Sequence, residues 1–210
     1  MNKAIIDALD WRRAVKIFDA TKKVSDSDLD TILEAGRLAP SSMGTEAWKF
    51  IIVSDPAIRA KLREVSYGQS QVTDASYLIV IARRTDVENI APELITRTAK
   101  AIGKQESELD GLSQMATGGI MGKPEGPVRN GWLAAQTYIP LGMMMTAASM
   151  MGIDNAALEG FDNPKVDEIL GLPEKHLAAV TFLVLGYRGD DGFSKAPKVR
   201  RTIEEVVERI

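Results

Sequence analysis

The run Trp11-Arg12-Arg13-Ala14-Val15-Lys16-Ile17-Phe18 holds the first residues that could do chemistry. Arg12 and Lys16 are four apart, so on a helical turn they project from one side. Cations converging at a chain turn make a phosphate or anion site, because a guanidinium grips phosphate oxygens bidentately. A solvated basic face is the ordinary alternative. Lys198 and Arg200, in Ala196-Pro197-Lys198-Val199-Arg200, lie on one side of an extended chain. They could add a second grip, or belong to a solvated tail.

Two further segments pair small residues with polar ones. Pro40, Ser41, Ser42 and Gly44 form a turn between a helix and a strand, where hydroxyls and backbone N–H groups can meet a ligand's polar edge. In Ala156-Ala157-Leu158-Glu159-Gly160-Phe161-Asp162, Gly160 has no Cβ and lets backbone approach a flat ligand closely. Ordinary turn chemistry would account for either segment taken alone.

Other chemistries are excluded by what the chain lacks. It has no cysteine, hence no disulfide, thiolate metal site or cysteine nucleophile. A lone histidine, His176, makes a His-based metal site or a Ser-His-Asp hydrolase hard to build. There is no G-x-G-x-x-G, and around Gly122-Lys123 a phosphate loop would need glycine where Thr117 stands and a hydroxyl where Pro124 stands. The methionines at 143–145 and 150–151 read as core filler. With 26 basic against 29 acidic residues, the net charge of −3 argues against a general nucleic-acid binder. An enzyme of this composition takes its chemistry from a bound cofactor.

The elements that must position these residues follow from periodicity. At 210 residues the chain reads as a single domain. Residues 2–18 read as a short helix running into a basic turn. Ser25 caps a helix that Pro40 stops, with Asp26 and Asp28 in its first turn. Trp48–Val53, Tyr77–Ala82 and His176–Tyr187 read as buried strands, and residues 55–65 and 86–105 as helices. Residues 111–128 read as a mobile loop or short helix. Gly131–Ile153 carries no charge over 23 residues, which is long enough to span a bilayer. Its polar residues, Pro140 and weak flanking charges favour a helix buried on all sides, covered in part by a second subunit. No secretory signal is visible, so the expected location is cytoplasmic. Strands interleaved with helices predict an α/β sheet covered on both faces.

Taken together and in order, the segments RRAVKIF, LEAGRLAPSS with AWKFIIV, QSQVTDASYLIV, LEGFD, LGLPEKHLAAVTFLVLGYR and APKVR resemble the flavin-dependent, oxygen-insensitive NAD(P)H nitroreductase family. The resemblance covers essentially the whole chain and is weakest between residues 86 and 130. It implies a three-layer α/β (α+β) sandwich with a central, mostly antiparallel sheet, in an intertwined homodimer holding FMN at the dimer interface. The arm at residues 197–210 would pack on the partner chain. By the same resemblance, Arg12, Lys198 and Arg200 hold the FMN phosphate, and Arg13 and Ala14 give backbone contacts. Lys16 and Gln71 lie by the pyrimidine edge of the ring. Ala157, Leu158, Glu159 and Gly160 run along one ring face, while Pro40, Ser41 and Ser42 come from the other subunit. The implied reaction is ping-pong transfer of two electrons from NADH or NADPH to nitroaromatic, quinone or related small acceptors. No metal, membrane or nucleic acid takes part. A flavin-binding or storage protein with little turnover is the alternative. The sequence departs from the family where Met43-Gly44-Thr45-Glu46-Ala47 replaces the usual Asn- and Gln-containing run, and where Gly68 replaces an Asn.

Overall fold

The structure, a computed structural model, describes residues 2–190 and 192–210. In chain order the helices are α1 (Lys3–Trp11), α2 (Asp26–Arg37), α3 (Pro56–Glu64), α4 (Gln71–Asp74), α5 (Val87–Ile102), α6 (Asp110–Met121), α7 (Pro127–Met150), α8 (Asn163–Leu170), α9 (Gly192–Lys195) and α10 (Ile203–Val206). The strands are β1 (Trp48–Ile52), β2 (Tyr77–Arg84), β3 (Asp154–Leu158) and β4 (Leu177–Gly186). They form one antiparallel sheet in the order β1-β2-β4-β3.

Side-chain alternation in the two central strands divides the core. Leu78, Val80 and Ala82 of β2, with Phe182 and Val184 of β4, point to one face, where Leu62 of α3 and Val166 of α8 cover them. Ile79 and Ile81, with Leu183 and Leu185, point to the other, against Leu29 and Ile32 of α2 and Leu141 and Met144 of α7. Because both faces are buried, these strands read as continuous apolar runs. A third cluster lies beside the sheet and joins Ala47, Ile90 and Ala91 of α5, Ala116 and Ile120 of α6, and Leu133 of α7.

Local signals account for the helix starts. Ser25 Oγ accepts the Asp28 N–H at 3.1 Å, and the Asp55 carboxylate accepts from Ala57 and Ile58 ahead of Pro56.

The structure corrects the sequence reading at two places and refines it at two more. The first helix ends at Trp11, and the chain then runs extended: Ala14 bridges Asn155 in parallel and Phe18 bridges Arg188. Arg12 and Lys16 therefore do not share a helical turn. Burial of Val15 and Phe18 in the sheet core outweighs any helical continuation. Residues 156–158, the start of the 156–162 run that turn chemistry would explain, belong instead to edge strand β3, whose sequence Asp-Asn-Ala-Ala-Leu carries no β-branched or aromatic residue to signal it. Of the loop or short helix read at residues 111–128, the chain forms the helix, α6, over Asp110–Met121. Within this one chain, helix α7 buries the face of Leu133, Gln136, Thr137, Pro140, Leu141, Met144 and Ala148, while Val128, Tyr138, Ile139 and Met150 face outward, on the side for which the sequence calls for cover by a second subunit. Among the described residues, no helix is long and apolar enough to cross a membrane.

Candidate functional site

The cations from both ends of the chain meet at the C-terminal end of α1. Lys198 Nζ donates to the Leu9 carbonyl at 2.5 Å, and Arg13 donates to the Asp10 and Arg12 carbonyls. Helix-end carbonyls carry partial negative charge, which favours cations there. The Arg12 guanidinium is held below its ordinary pKa first by burial, then by Arg200 and Arg13. Burial, followed by Arg13 and Arg12, likewise lowers Lys198, with Asp10 acting in the other direction. Arg12, Arg13, Lys198 and Arg200 thus lie within one another's field. Among the described residues, none of the four is in an ion pair. Arg13 Nε is buried without a hydrogen-bond partner.

A clasp fixes this corner to the sheet. Asp154, at the start of β3 and only 3% exposed, accepts from the Arg188 backbone N–H and from Arg188 Nε, each at 2.8 Å. The Arg188 guanidinium also lies 4.4 Å from the centre of the Trp11 ring. The bridge from Ala14 to Asn155 then sets the basic segment alongside β3. Lys16, further along that segment, is exposed.

At the far end of β3, strand alternation exposes Ala157 and Glu159 and buries Leu158. The Gly160 carbonyl accepts from Gln69 Nε2 at 2.8 Å. Tyr67 stands alongside Gly160, 80% exposed and at φ 53°, a left-handed conformation uncommon for an aromatic residue. Tyr138 of α7 donates its hydroxyl to Glu159 Oε1 at 2.7 Å. Burial and then this bond push the Tyr138 phenol up to about 12. Sequence reasoning missed Tyr67, Gln69 and Tyr138. Only the Tyr67-Gly68 pair, turn-prone by its glycine, gave any signal. Gln71 is buried at the start of α4, and it is Gln69 that reaches the Gly160 loop.

The Pro40–Ser42 turn is built separately. The Ser42 N–H donates to Gln136 Oε1 of α7 at 2.8 Å, and Ser41 Oγ accepts the Glu46 N–H at 2.8 Å. None of the hydrogen bonds and ion pairs among the described residues ties this turn to the four cations. The departures from the family run here have local partners. Gly44 takes φ 68°, Ala47 is fully buried, and Glu46 lies 3.4 Å from the Arg97 guanidinium of α5.

A cleft of about 530 Å³ opens at the strand ends between Glu46, Trp48, Arg84, Arg97 and His176, away from the cation cluster. Its carboxylates are engaged, Glu46 by Arg97 and Asp86 by Arg84. Among the described residues, no group of His, Cys, Asp and Glu is arranged to hold a metal.

The Nitroreductase family profile matches residues 9–187. The chain belongs to the nitroreductase family. It is 39% identical over 220 residues to a Bacillus subtilis protein named as an NAD(P)H nitroreductase, YfkO, with 97% of this chain and 96% of that protein aligned. As a nitroreductase it also shares its fold with solved structures. The B. subtilis nitroreductase-named protein ydfN superposes with TM-score 0.85 at 22% identity, covering 98% of both chains. A nitroreductase-named protein from Exiguobacterium sibiricum, solved in complex with FMN, superposes with TM-score 0.80 at 21% identity, covering 98% of this chain and 97% of that one. Membership places the chain in an enzyme family.

Proposed function

We propose that this nitroreductase binds FMN and passes two electrons from NADH or NADPH to nitroaromatic, quinone or related small acceptors, donor and acceptor using one site in turn. The observation that carries the proposal is the convergence of Arg12, Arg13, Lys198 and Arg200, two from each end of the chain, with Arg13 Nε left without a partner. Mutually repelling cations outside any ion pair suit a phosphate monoester, which accepts several charge-assisted hydrogen bonds. The donor set therefore fits the phosphate of FMN.

When bound, FMN supplies the two-electron redox chemistry that a chain without cysteine lacks. Arg12, Lys198 and Arg200 would hold the phosphate, with Arg13 and Ala14 contributing backbone. Lys16 and Gln71 would serve the pyrimidine edge, and Lys16 would oppose the negative charge that reduction leaves there. The strand end Ala157–Gly160 would lie along the ring, with Gln69 fixing the Gly160 carbonyl and Tyr138 fixing the Glu159 carboxylate. Pro40, Ser41 and Ser42 would reach the site of a second copy, because in their own chain they are held apart from the cations.

A homodimer is supported by the apolar residues left open on one chain. These are Ile5, Ile6 and Leu9 on α1, Ile139 and Met150 on α7, and Val199, Ile203 and Ile210 on the arm at 197–210. A cysteine-free chain working with NAD(P)H suits the cytoplasm.

The purified protein is expected to be yellow, to bleach on anaerobic addition of NADPH, and to oxidise NAD(P)H in the presence of menadione. Colourless protein that does not take up added FMN overturns the proposal. Yellow protein without NAD(P)H oxidation leaves a flavin-binding protein with little turnover.

A further inference from the structure

We propose that Met43 and Gly119 form a seat fixing helix α6 against the Ser41–Ser42 turn, and that this seat sets which acceptors the enzyme takes. The inference rests on the function proposed above. Met43 has φ 59° within the short turn Ser42–Gly44, a conformation strained for a non-glycine residue unless its surroundings hold it there. The holding contact is at its thioether. A Cβ built on Gly119 would lie 2.1 Å from Met43 Sδ and 2.5 Å from Cε, so the side chain fills the space that glycine leaves open.

Helix α6 depends on such contacts. It contains Gly111, Gly118 and Gly119, each a poorer helix former than alanine. Its C-terminal end is tied down: Lys123 Nζ donates to the Gly119 carbonyl, and Arg129 donates to the carbonyls of Met121 and Lys123. Ala116 and Ile120 face the third cluster. Met43 supplies a side-chain contact between the helix and the turn.

The outer face of α6 has its own character. Gln114, Met115, Thr117, Gly118 and Met121 are exposed, yet residues 111–122 carry no charge in a chain that is 26% charged. An uncharged, methionine-bearing surface beside the Ser41–Ser42 turn suits a planar, uncharged acceptor, because thioethers are polarizable and adapt their shape. The height of α6 over the turn then limits acceptor size, and Met43 and Gly119 act as positioning residues.

The test compares M43A, G119A and the double variant with wild type, using p-benzoquinone as the small acceptor and menadione as the bulky one. M43A should raise the menadione-to-benzoquinone ratio of kcat/KM by about threefold or more. It should speed amide hydrogen exchange across residues 110–121 by about tenfold while the sheet stays protected. G119A, which unseats Met43 by collision, should shift the ratio the same way. The double variant should resemble M43A, because truncating Met43 removes the collision. Faster exchange with an unchanged ratio makes the seat structural only and overturns the inference. Unchanged exchange in M43A overturns it as well. Wild-type protein that reduces neither quinone instead refutes the proposed function, and with it the acceptor role of the seat.

Discussion

Replacing Arg12 with glutamine should move the stability of the empty and the loaded protein in opposite directions. In the empty protein Arg12 is half-buried and repelled by Arg200 and Arg13. Removing its charge relieves that repulsion, and partial exposure screens the gain to below about 1 kcal/mol. At roughly 2–4 °C per kcal/mol for a chain of this size, the melting temperature of the empty protein rises by no more than a few degrees. The gain shrinks with added salt, as screened charges require. In the loaded protein the variant loses a charged hydrogen bond to phosphate, a loss of about 1.5–3 kcal/mol, or roughly 10- to 150-fold in affinity. With FMN at about 1,000 times the wild-type Kd, binding stabilises wild type by about 4 kcal/mol, and a thirtyfold weaker variant by about 2 kcal/mol. The loaded melting temperature therefore falls by several degrees while the empty one rises. Titration of the apo-protein with FMN and paired melts at low and high salt measure both limbs. A fall in both melts, or an unaltered FMN affinity, refutes the assignment of Arg12 to a phosphate.

Three other outcomes follow from contacts outside the cation cluster. Asp154→Asn leaves Arg188 without its buried carboxylate and should cost about 3–5 kcal/mol. A urea midpoint close to wild type would show that the clasp contributes nothing. Gly36→Ala places a Cβ 2.8 Å from Met144 Cγ and Sδ and 3.1 Å from Phe50 Cε2. Overpacking at about 1–3 kcal/mol outweighs the roughly 1 kcal/mol gained in helix propensity, so the urea midpoint should fall. A raised midpoint would mean that Met144 repacks freely. Tyr138, with its phenol pushed up to about 12, stays neutral in the fold after unfolded tyrosine begins to ionise near about 10. Its contribution is full below pH of about 10 and is lost as the pH rises towards 12. Tyr138→Phe should make the alkaline decline of stability shallower, and an identical decline counts against the Glu159 bond.

The fold was legible where burial imposes a period or a cap imposes a start. The runs Trp48–Ile52, Tyr77–Arg84 and Leu177–Gly186 are β1, β2 and β4, and Ser25 caps α2 as its hydroxyl suggests. β3 was not legible, because small residues suffice for an edge strand buried under α7, so its sequence carries no strand signature. Nor was the end of α1. Helical spacing suggested that Arg12 and Lys16 share a side, whereas the pairing of Ala14 with Asn155 draws the chain out straight, and such pairing depends on residues far away in sequence. The same distance hid Tyr138 and Gln69, each of which matters through a partner about 20 or 90 positions off. The basic residues were legible as types, but their convergence required the fold. Nor could the sequence show that Glu46, in the run that departs from the family, meets Arg97 of α5.

The arm that carries Lys198 and Arg200 contributes no residue to the three apolar clusters, and its attachment to α1 runs through the Lys198–Leu9 bond. A bound phosphate would therefore hold two of its four cations by a strap that can fray without unfolding the sheet. Escape of the nucleotide should then keep pace with the breathing of that strap. A lesion that loosens the last dozen residues would shorten the residence time of the ligand while leaving the global melting curve of the empty protein almost where it was.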